Sequence, residues 1–360
     1  MDKEQEELGK LRDGIDHIDG EVLKLLSERA KLAQRVGEIK HGNIYRPERE
    51  AQVLRRIAAT NPGPLPDAAV RTIFREVMSA CLALEQPLKI AYFGPAGTFT
   101  ESAAKKHFGS APTFNSCLLI DDVFRAVESG QADYGVVPIE NSTEGSVGRT
   151  LDQMMTSPLM ICGEVNLRIH QNLMSKADTL AGVKRLYSHA QSLAQCHEWL
   201  NRNQPNLARV PVASNAEAAR MAAEDADACA IAGEAAARLY DLNILAANIE
   251  DDPNNTTRFV VLSSHDAGPS GLDKTSFVCS AQNKPGALHD LLTPLKQHAV
   301  SMCRFESRPA RGFGNSRWEY VFFVDIEGHR NDAKVAAALE DLRGCVGFLK
   351  ELGSYPKAGN

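Results

Sequence analysis

Apolar residues recur along the first forty positions at helical spacing. Leu8, Leu11, Ile15, Ile18, Val22, Leu25, Leu32 and Val36 are three, four or seven residues apart, and no proline interrupts them. Residues 8–41 are therefore predicted to form one helix, about 50 Å long at 1.5 Å per residue. Two shorter helices are predicted over residues 47–60, where NPGPLP ends the pattern, and over 67–85. Two short neighbours from the same chain cannot bury so long a stripe, which points to an intertwined helical dimer.

The period then changes. KIAYFGP, at 89–95, reads as a strand entering a glycine turn, and 98–107 as a helix. Further strands are predicted near 132–138, 159–169, 185–188, 228–232 and 257–262, with helices at 192–203 and 216–225. Such alternation implies an α/β sheet, as one domain or two lobes around a cleft. A polar Gly- and Ser-containing linker covers 263–274. Beyond it, strands at 275–281, 301–307, 318–326 and 348–352 enclose a helix that starts within KPGALHDLL and another at 331–342. That β-α-β-β-α-β order is ferredoxin-like.

VVPIENSTEGSVGRTLD, at 136–152, stands out. A short apolar run stops at Pro138, and a polar loop follows with Glu140, Asn141, Ser142, Thr143 and Glu144. Buried parallel strands end in this way when they deliver polar groups to a crevice. The loop suits a small polyoxygenated ligand, although Asn, Ser and Gly also build ordinary solvated turns.

Composition narrows the function. The chain has 360 residues, 43% hydrophobic and 24% charged, with a net charge of -6. That fits a globular protein of two or three domains and carries no electrostatic footprint for nucleic acid. No run of 18 apolar residues suggests a membrane span. The charged N-terminus lacks the apolar core of a signal peptide, so a cytoplasmic location is expected. The eight cysteines, Cys81, Cys117, Cys162 and Cys196 among them, form no C-x-x-C pair and are expected to be reduced thiols. Neither zinc-site spacing nor a dinucleotide or Walker fingerprint is found, so no metal or organic cofactor is expected.

In the first segment Arg29 and Lys40 share a helix face, being eleven positions apart. Arg12 lies about 25 Å from Arg29 along the axis, so one compact site uses both only if Arg12 comes from a partner subunit. Helical Arg and Lys are usually solvated, and Arg49 with Glu50 also reads as a surface pair. Yet L-R-x-x-I-D-x-I-D (11–19), S-E-R-A-K-L-A (27–33), Lys40 and Y-R-P-E-R-E (45–50) resemble the all-helical chorismate mutases. The resemblance implies a Claisen rearrangement of chorismate to prephenate. A dicarboxylate is held compactly while cations meet charge growing on the ether oxygen. It implies Arg12 (from the partner), Arg29, Lys40 and Arg49 as those cations, and Glu50 as acceptor of the substrate hydroxyl. Arg46 stands where some members have Asp, Cys81 where some have Ser, and Glu85 where many have Gln. An ionised Glu85 would repel the oxyanion, so mutase activity is expected to need it protonated.

GPAGTF (94–99), VVPIENSTEGSV, YSHAQSLAQC (187–196) and NNTTRFVVL (254–262) occur in the order and spacing of prephenate dehydratases, which the second segment resembles throughout. The resemblance implies loss of water and carbon dioxide from prephenate to give phenylpyruvate. It assigns Thr257 as donor to the leaving hydroxyl, with neighbouring Thr256 a near-equal candidate by sequence. Thr98, Asn141, Ser142, Ser188 and Gln195 would hold the carboxylates and ring, and Phe259 would pack beneath them. Arg258 would bind substrate or else pair with an acid, and Glu140 would be a second acid or a brace. A lone His189 at a strand end is more often structural than catalytic.

The last segment resembles an ACT domain, an amino-acid sensor. Gly286, Ala287 and Leu288, with Glu306, Ser307, Arg308 and Pro309, match its phenylalanine motifs. The resemblances together imply a multidomain fold. An all-α intertwined helical mutase domain spans 1–87, an α/β two-lobed dehydratase domain 88–264, and a linker with an α+β ferredoxin-like ACT domain 265–360. Chorismate and prephenate would be substrates, phenylalanine the effector, and the protein a homodimer or larger homo-oligomer. The rivals are a ligand-sensing regulator without chemistry and a dehydratase whose helices serve mainly for dimerisation.

Overall fold

The computed structural model describes residues 3–39, 45–281, 284–309 and 320–359. The chain forms two compact units, one of Met1–Arg46, Val53–Leu88 and Phe108–Thr113, the other of Pro47–Gln52, Lys89–His107 and Phe114–Asn360.

Three helices make most of the first unit: α1 (Lys3–Ile39), α2 (Pro47–Ala59), whose first turn belongs to the second unit, and α3 (Asp67–Glu85). Pro47 opens α2 at a position where its missing N–H is no loss. Helix α1 has 37 residues and none of them is buried. Its apolar stripe faces outward within one chain, with Leu11 61% and Leu25 62% exposed. Helices α1 and α3 pack closely at Gly37, where an added Cβ would stand 3.0 Å from Cγ of Glu85.

The second unit opens with β1 (Lys89–Phe93), α4 (Phe99–Phe108), β2 (Thr113–Cys117), α5 (Ile120–Glu128), β3 (Tyr134–Asn141), β4 (Gly145–Ser146), α6 (Gly148–Thr156) and β5 (Met160–Arg168). The chain then builds a second lobe from β6 (Asn172–Ser175), β7 (Arg185–His189), α7 (Ala190–Gln195), α8 (His197–Asn203), β8 (Ala208–Val212), α9 (Asn215–Glu224), β9 (Ala228–Ala232), α10 (Glu234–Tyr240) and β10 (Asn243–Ala246). It returns as β11 (Thr256–Ser263), which inserts between β3 and β5. The first-lobe sheet has the order β2-β1-β3-β11-β5, the second β10-β6-β9-β7-β8.

Three expectations need correction. The sheet is mixed: β1 and β3 are parallel, but β11 is antiparallel to both its neighbours. Strand β3 does not stop at Pro138 but runs to Asn141, pairing with β4 as a hairpin. Pro138 is tolerated because it lies beyond the pairing with β1 and opposite a bulge in β11. The helix expected over 192–203 is two helices. Cys196 leaves helical geometry, and Asp251 accepts from the backbone N–H of Glu198 and Trp199 to start α8.

The remaining elements are β12 (Asp273–Ser280), α11 (Ala287–Gln297), β13 (Met302–Pro309), β14 (Tyr320–Glu327), α12 (Ala333–Cys345) and β15 (Phe348–Pro356). Their antiparallel order β13-β14-β12-β15 is ferredoxin-like. This sheet buries both faces. Phe277, Cys279, Val324 and Ile326 pack with α11 and α12. Val278, Val321, Phe323 and Tyr355 join the core of the first-lobe sheet. Period-two alternation assigns the two faces. At the sheet crossing a Cβ on Gly353 would meet the Ile161 carbonyl oxygen at 2.2 Å, so only glycine fits. The polar linker is ordered in part: Asp273 accepts from the N–H of Ser270 and Gly271, and His329 bonds Ala267.

Candidate active sites and effector site

The end of β3 and the start of β11 bring Asn141 and Thr257 together. Oδ1 of Asn141 accepts from Thr143 N–H (3.0 Å), Glu144 N–H (3.1 Å) and Thr143 Oγ1 (2.6 Å). Its Nδ2 therefore faces the other way and donates to Asn255 Oδ1 (2.9 Å) and Thr257 Oγ1 (2.8 Å). The Thr257 oxygen is thereby an acceptor, and its own proton is left to donate elsewhere. Strand alternation separates the two threonines. Thr256 points its hydroxyl at Asn254 O, while its N–H donates to Ser142 Oγ. Ser142 thus ties the two strand ends.

The network crosses to the second lobe. Gln195 Nε2 donates to Thr143 Oγ1 at 3.3 Å. Gln171 Nε2 donates to Gln195 Oε1 (3.3 Å) and Ser192 Oγ (2.9 Å), and Asn215 Nδ2 also donates to Ser192 Oγ. Ser188 Oγ donates to Asn215 Oδ1 at 3.2 Å. Asn141, Thr257, Gln195 and Ser188 therefore belong to one hydrogen-bonded chain. Thr143 was named only as part of the polar loop, and Asn255, Gln171, Ser192 and Asn215 are members the sequence did not single out. Asn255 lies within NNTTRFVVL and Ser192 within YSHAQSLAQC, which were usable signals; Gln171 and Asn215 lie in no motif. Asn255 and Gln171 are each 1% exposed, and Asn255 Nδ2 and Gln171 Oε1 are buried without partners.

Thr98 stands outside this network. Its hydroxyl donates to Pro95 O and accepts from Glu101 N–H, capping α4 after the positive-φ glycines Gly94 and Gly97. Phe259 is 2% exposed and shares the Thr257 face of β11. Arg258 occupies the opposite face, where its guanidinium is engaged by acids. Nε donates to Glu164 (2.8 Å), Nη1 to Asp325 (2.5 Å) and Nη2 to Tyr355 OH (2.8 Å). Lys274 adds a second cation to Glu164, and Ser276 donates to Asp325. Burial opposes the charge on Arg258, but Tyr355, Asp325 and Glu164 outweigh it and hold the guanidinium protonated. Burial likewise pushes the Tyr355 phenol well up. The acid-paired alternative is the one the geometry matches.

Of the mutase candidates, Arg12 is exposed and Arg29 half-buried on α1, Arg49 exposed and Glu50 half-buried in the first turn of α2. Glu85 is half-buried at the end of α3, Cys81 buried one turn earlier, and Arg46 precedes α2. Lys40 lies outside the described residues.

Gly286 caps α11 at φ 80°, with Ala287 and the 44% exposed Leu288 in the first turn. Strand β13 carries the second effector motif. Ser307 and Pro309 are exposed, Glu306 half-buried. Arg308 turns to the first lobe, where it donates to Gly148 O (2.7 Å) and pairs with Asp152 (2.9 Å). Among the described residues, no three His, Cys, Asp or Glu side chains are grouped to hold a metal ion, and no helix is long and apolar enough to cross a membrane.

Fold and site define a class of multidomain enzyme with an appended sensor module. Residues 11–86 match the chorismate mutase type II family, 90–267 prephenate dehydratase and 275–344 the ACT domain. The chain is 56% identical over 351 residues to a bifunctional chorismate mutase/prephenate dehydratase of Neisseria gonorrhoeae, covering 96% of each. It is 48% identical over 364 residues to that of Pseudomonas aeruginosa, covering 99% of each. A crystal structure of prephenate dehydratase from Arthrobacter aurescens in complex with L-Phe superposes with a TM-score of 0.69 at 35% identity, covering 75% of this chain and 90% of that one. The chain belongs to the bifunctional chorismate mutase/prephenate dehydratase family.

Proposed function

We propose that this protein rearranges chorismate to prephenate and converts prephenate to phenylpyruvate, and that phenylalanine inhibits it through the ACT domain. The bond from Asn141 to Thr257 carries the dehydratase reading. As the C–O bond of prephenate breaks, Thr257 donates to the departing oxygen, which leaves as water. The ring carboxylate departs as carbon dioxide, and its bonding electrons complete the aromatic ring. The Asn141 N–H stabilises negative charge developing on Thr257 Oγ1 and so strengthens a weak acid. Gln195 and the polar chain across the lobes orient the carboxylates.

In the mutase, Arg29, Lys40 and Arg49 with Arg12 of a second copy surround the dicarboxylate, and Glu50 accepts its hydroxyl. The outward stripe of α1 supports a homodimer. Gly286, Ala287 and Leu288, with Glu306, Ser307, Arg308 and Pro309, form the effector site. The unpaired cysteines suit the reducing cytoplasm.

The test is phenylpyruvate formation from chorismate by purified protein, with and without phenylalanine. Wild type should form phenylpyruvate and Thr257→Ala should accumulate prephenate. Untouched chorismate, or prephenate as the wild-type end product, would sink the corresponding half of the reading.

A further inference from the structure

The ACT sheet grips the segment that carries Asn141. On β13, Arg304 is 8% exposed. Its Nε donates to Glu140 Oε2 at 2.9 Å and its Nη2 to Ser146 Oγ at 2.6 Å. Glu140 and Ser146 are cross-strand partners in the β3–β4 hairpin, next to the Asn141–Gly145 pair. One guanidinium therefore bridges both strands immediately beside the residue that holds Thr257. Two more cations of the module grip the helix that follows. Arg308 binds Gly148 O and Asp152 in its first two turns. Lys350 donates to the carbonyls of Met154, Met155 and Ser157 at its end. The alternation of β13 makes this possible: Phe305 stacks on Phe322 toward the module's own helices, so Arg304, Glu306 and Arg308 face the first lobe.

We infer that Arg304 is a positioning residue for prephenate dehydration, acting through Glu140 and Ser146 on Asn141. This rests on the dehydratase reading above. A hairpin of two-residue strand β4 has few ladder bonds, and its turn residues Ser142, Thr143 and Glu144 are exposed. The β11 ladder fixes the backbone of β3 through Glu140 and Asn141, and Arg304 adds two side-chain bridges that tie the short strand β4 and the Glu140 carboxylate beside it. Arg258 Nη1 lies 3.9 Å from Glu140 Oε2 and reinforces the same carboxylate from below. The arginine sits two residues before the effector motif on the same strand. A shift of β13 on phenylalanine binding would therefore reach Asn141 directly.

The experiment compares full-length wild type, Arg304→Gln, Arg304→Lys, Glu140→Gln and the double glutamine variant. Prephenate turnover, mutase rate, phenylalanine affinity and thermal unfolding are read for each. Arg304→Gln should lower dehydratase kcat about tenfold or more, since small misplacements of catalytic groups are costly, with a smaller change in KM. Mutase rate and phenylalanine Kd should stay near wild type, and Arg304→Lys should recover part of the loss. The double variant should be no worse than the worse single one. Should Arg304→Gln lose its cooperative transition, Glu140→Gln carries the test, because that carboxylate is 37% exposed and its loss is tolerable. A kcat within twofold of wild type in the folded variants, or fully additive losses, overturns the proposal. Wild type inert on prephenate, or Thr257→Ala as active as wild type, overturns the site assignment itself and this proposal with it.

Discussion

The side-chain amide of Asn141 donates to the hydroxyl oxygen of Thr257 across 2.8 Å, although 116 positions separate them in the chain. The bond sets the direction of the Thr257 proton. Replacing Thr257 by Ala should reduce prephenate turnover by about 100-fold or more, the scale of a lost proton donor, while Thr257→Ser keeps much of it. Asn141→Asp should act almost as severely, because an ionised carboxylate accepts where the amide donates. Steady-state phenylpyruvate formation from prephenate measures both, and a fully active Asn141→Asp would refute the donor assignment.

Arg258 should matter for folding before chemistry. Its side chain is 12% exposed between Glu164, 2% exposed, and Asp325, 4% exposed. Arg258→Met leaves those carboxylates short of a cation and should cost about 3–5 kcal/mol, as breaking buried pairs does. Lysine cannot reproduce the three-way fork and should restore little. Urea unfolding of the two variants gives the answer.

The mutase should require two copies of the chain. An acidic residue in the outward stripe of α1, such as Leu25→Asp, is expected to yield monomers by analytical ultracentrifugation and to abolish chorismate rearrangement. Arg29→Ala should keep the oligomer and lose about 100-fold or more in mutase rate, as for a lost charge stabiliser. Glu85→Gln should raise the rate at neutral pH and flatten its pH dependence; an unchanged profile would remove Glu85 from the site.

The effector motif can be tested at a position with a backbone reason. Gly286 adopts φ 80° at the start of α11, a conformation that strains any residue with a Cβ. Gly286→Val should raise the phenylalanine concentration for half-inhibition about tenfold, a loss of about 1.4 kcal/mol in binding. Calorimetric titration should show the same shift.

Stability should fall in alkali. Burial pushes the thiols of Cys229 and Cys279 up to about 12, from the ordinary thiol value of 9.0. Cys162 and Cys196 are raised for the same reason. Between those values the folded chain binds more protons than the unfolded chain. The contribution is therefore full below pH 9 and is lost as pH rises through about 12. Thermal melts from neutral pH upward should show the decline beginning near 9, and Cys229→Ala should make it shallower.

Local period and motif order determined much of this protein. The steps from Leu8 to Val36 specify a long helix, alternation after Lys89 an α/β sheet, and the spacing after Thr275 a ferredoxin-like module. Each depends on which residues share one face of one element, and that is written locally. The motifs likewise marked Asn141, Gln195 and Thr257. Only the tertiary structure decided which neighbour of a marked residue faces the same way. Thr257 meets Asn141 while Arg258, one position on, meets Asp325, because β11 inserts between β3 and β5 and presents its two faces to different partners. Gln171 joins the polar chain through the fold of the second lobe, and Arg304 reaches Glu140 across 164 positions through the packing of one sheet on another. No local pattern encodes which sheet face will meet which, since that choice is made by burying apolar faces that are each acceptable alone.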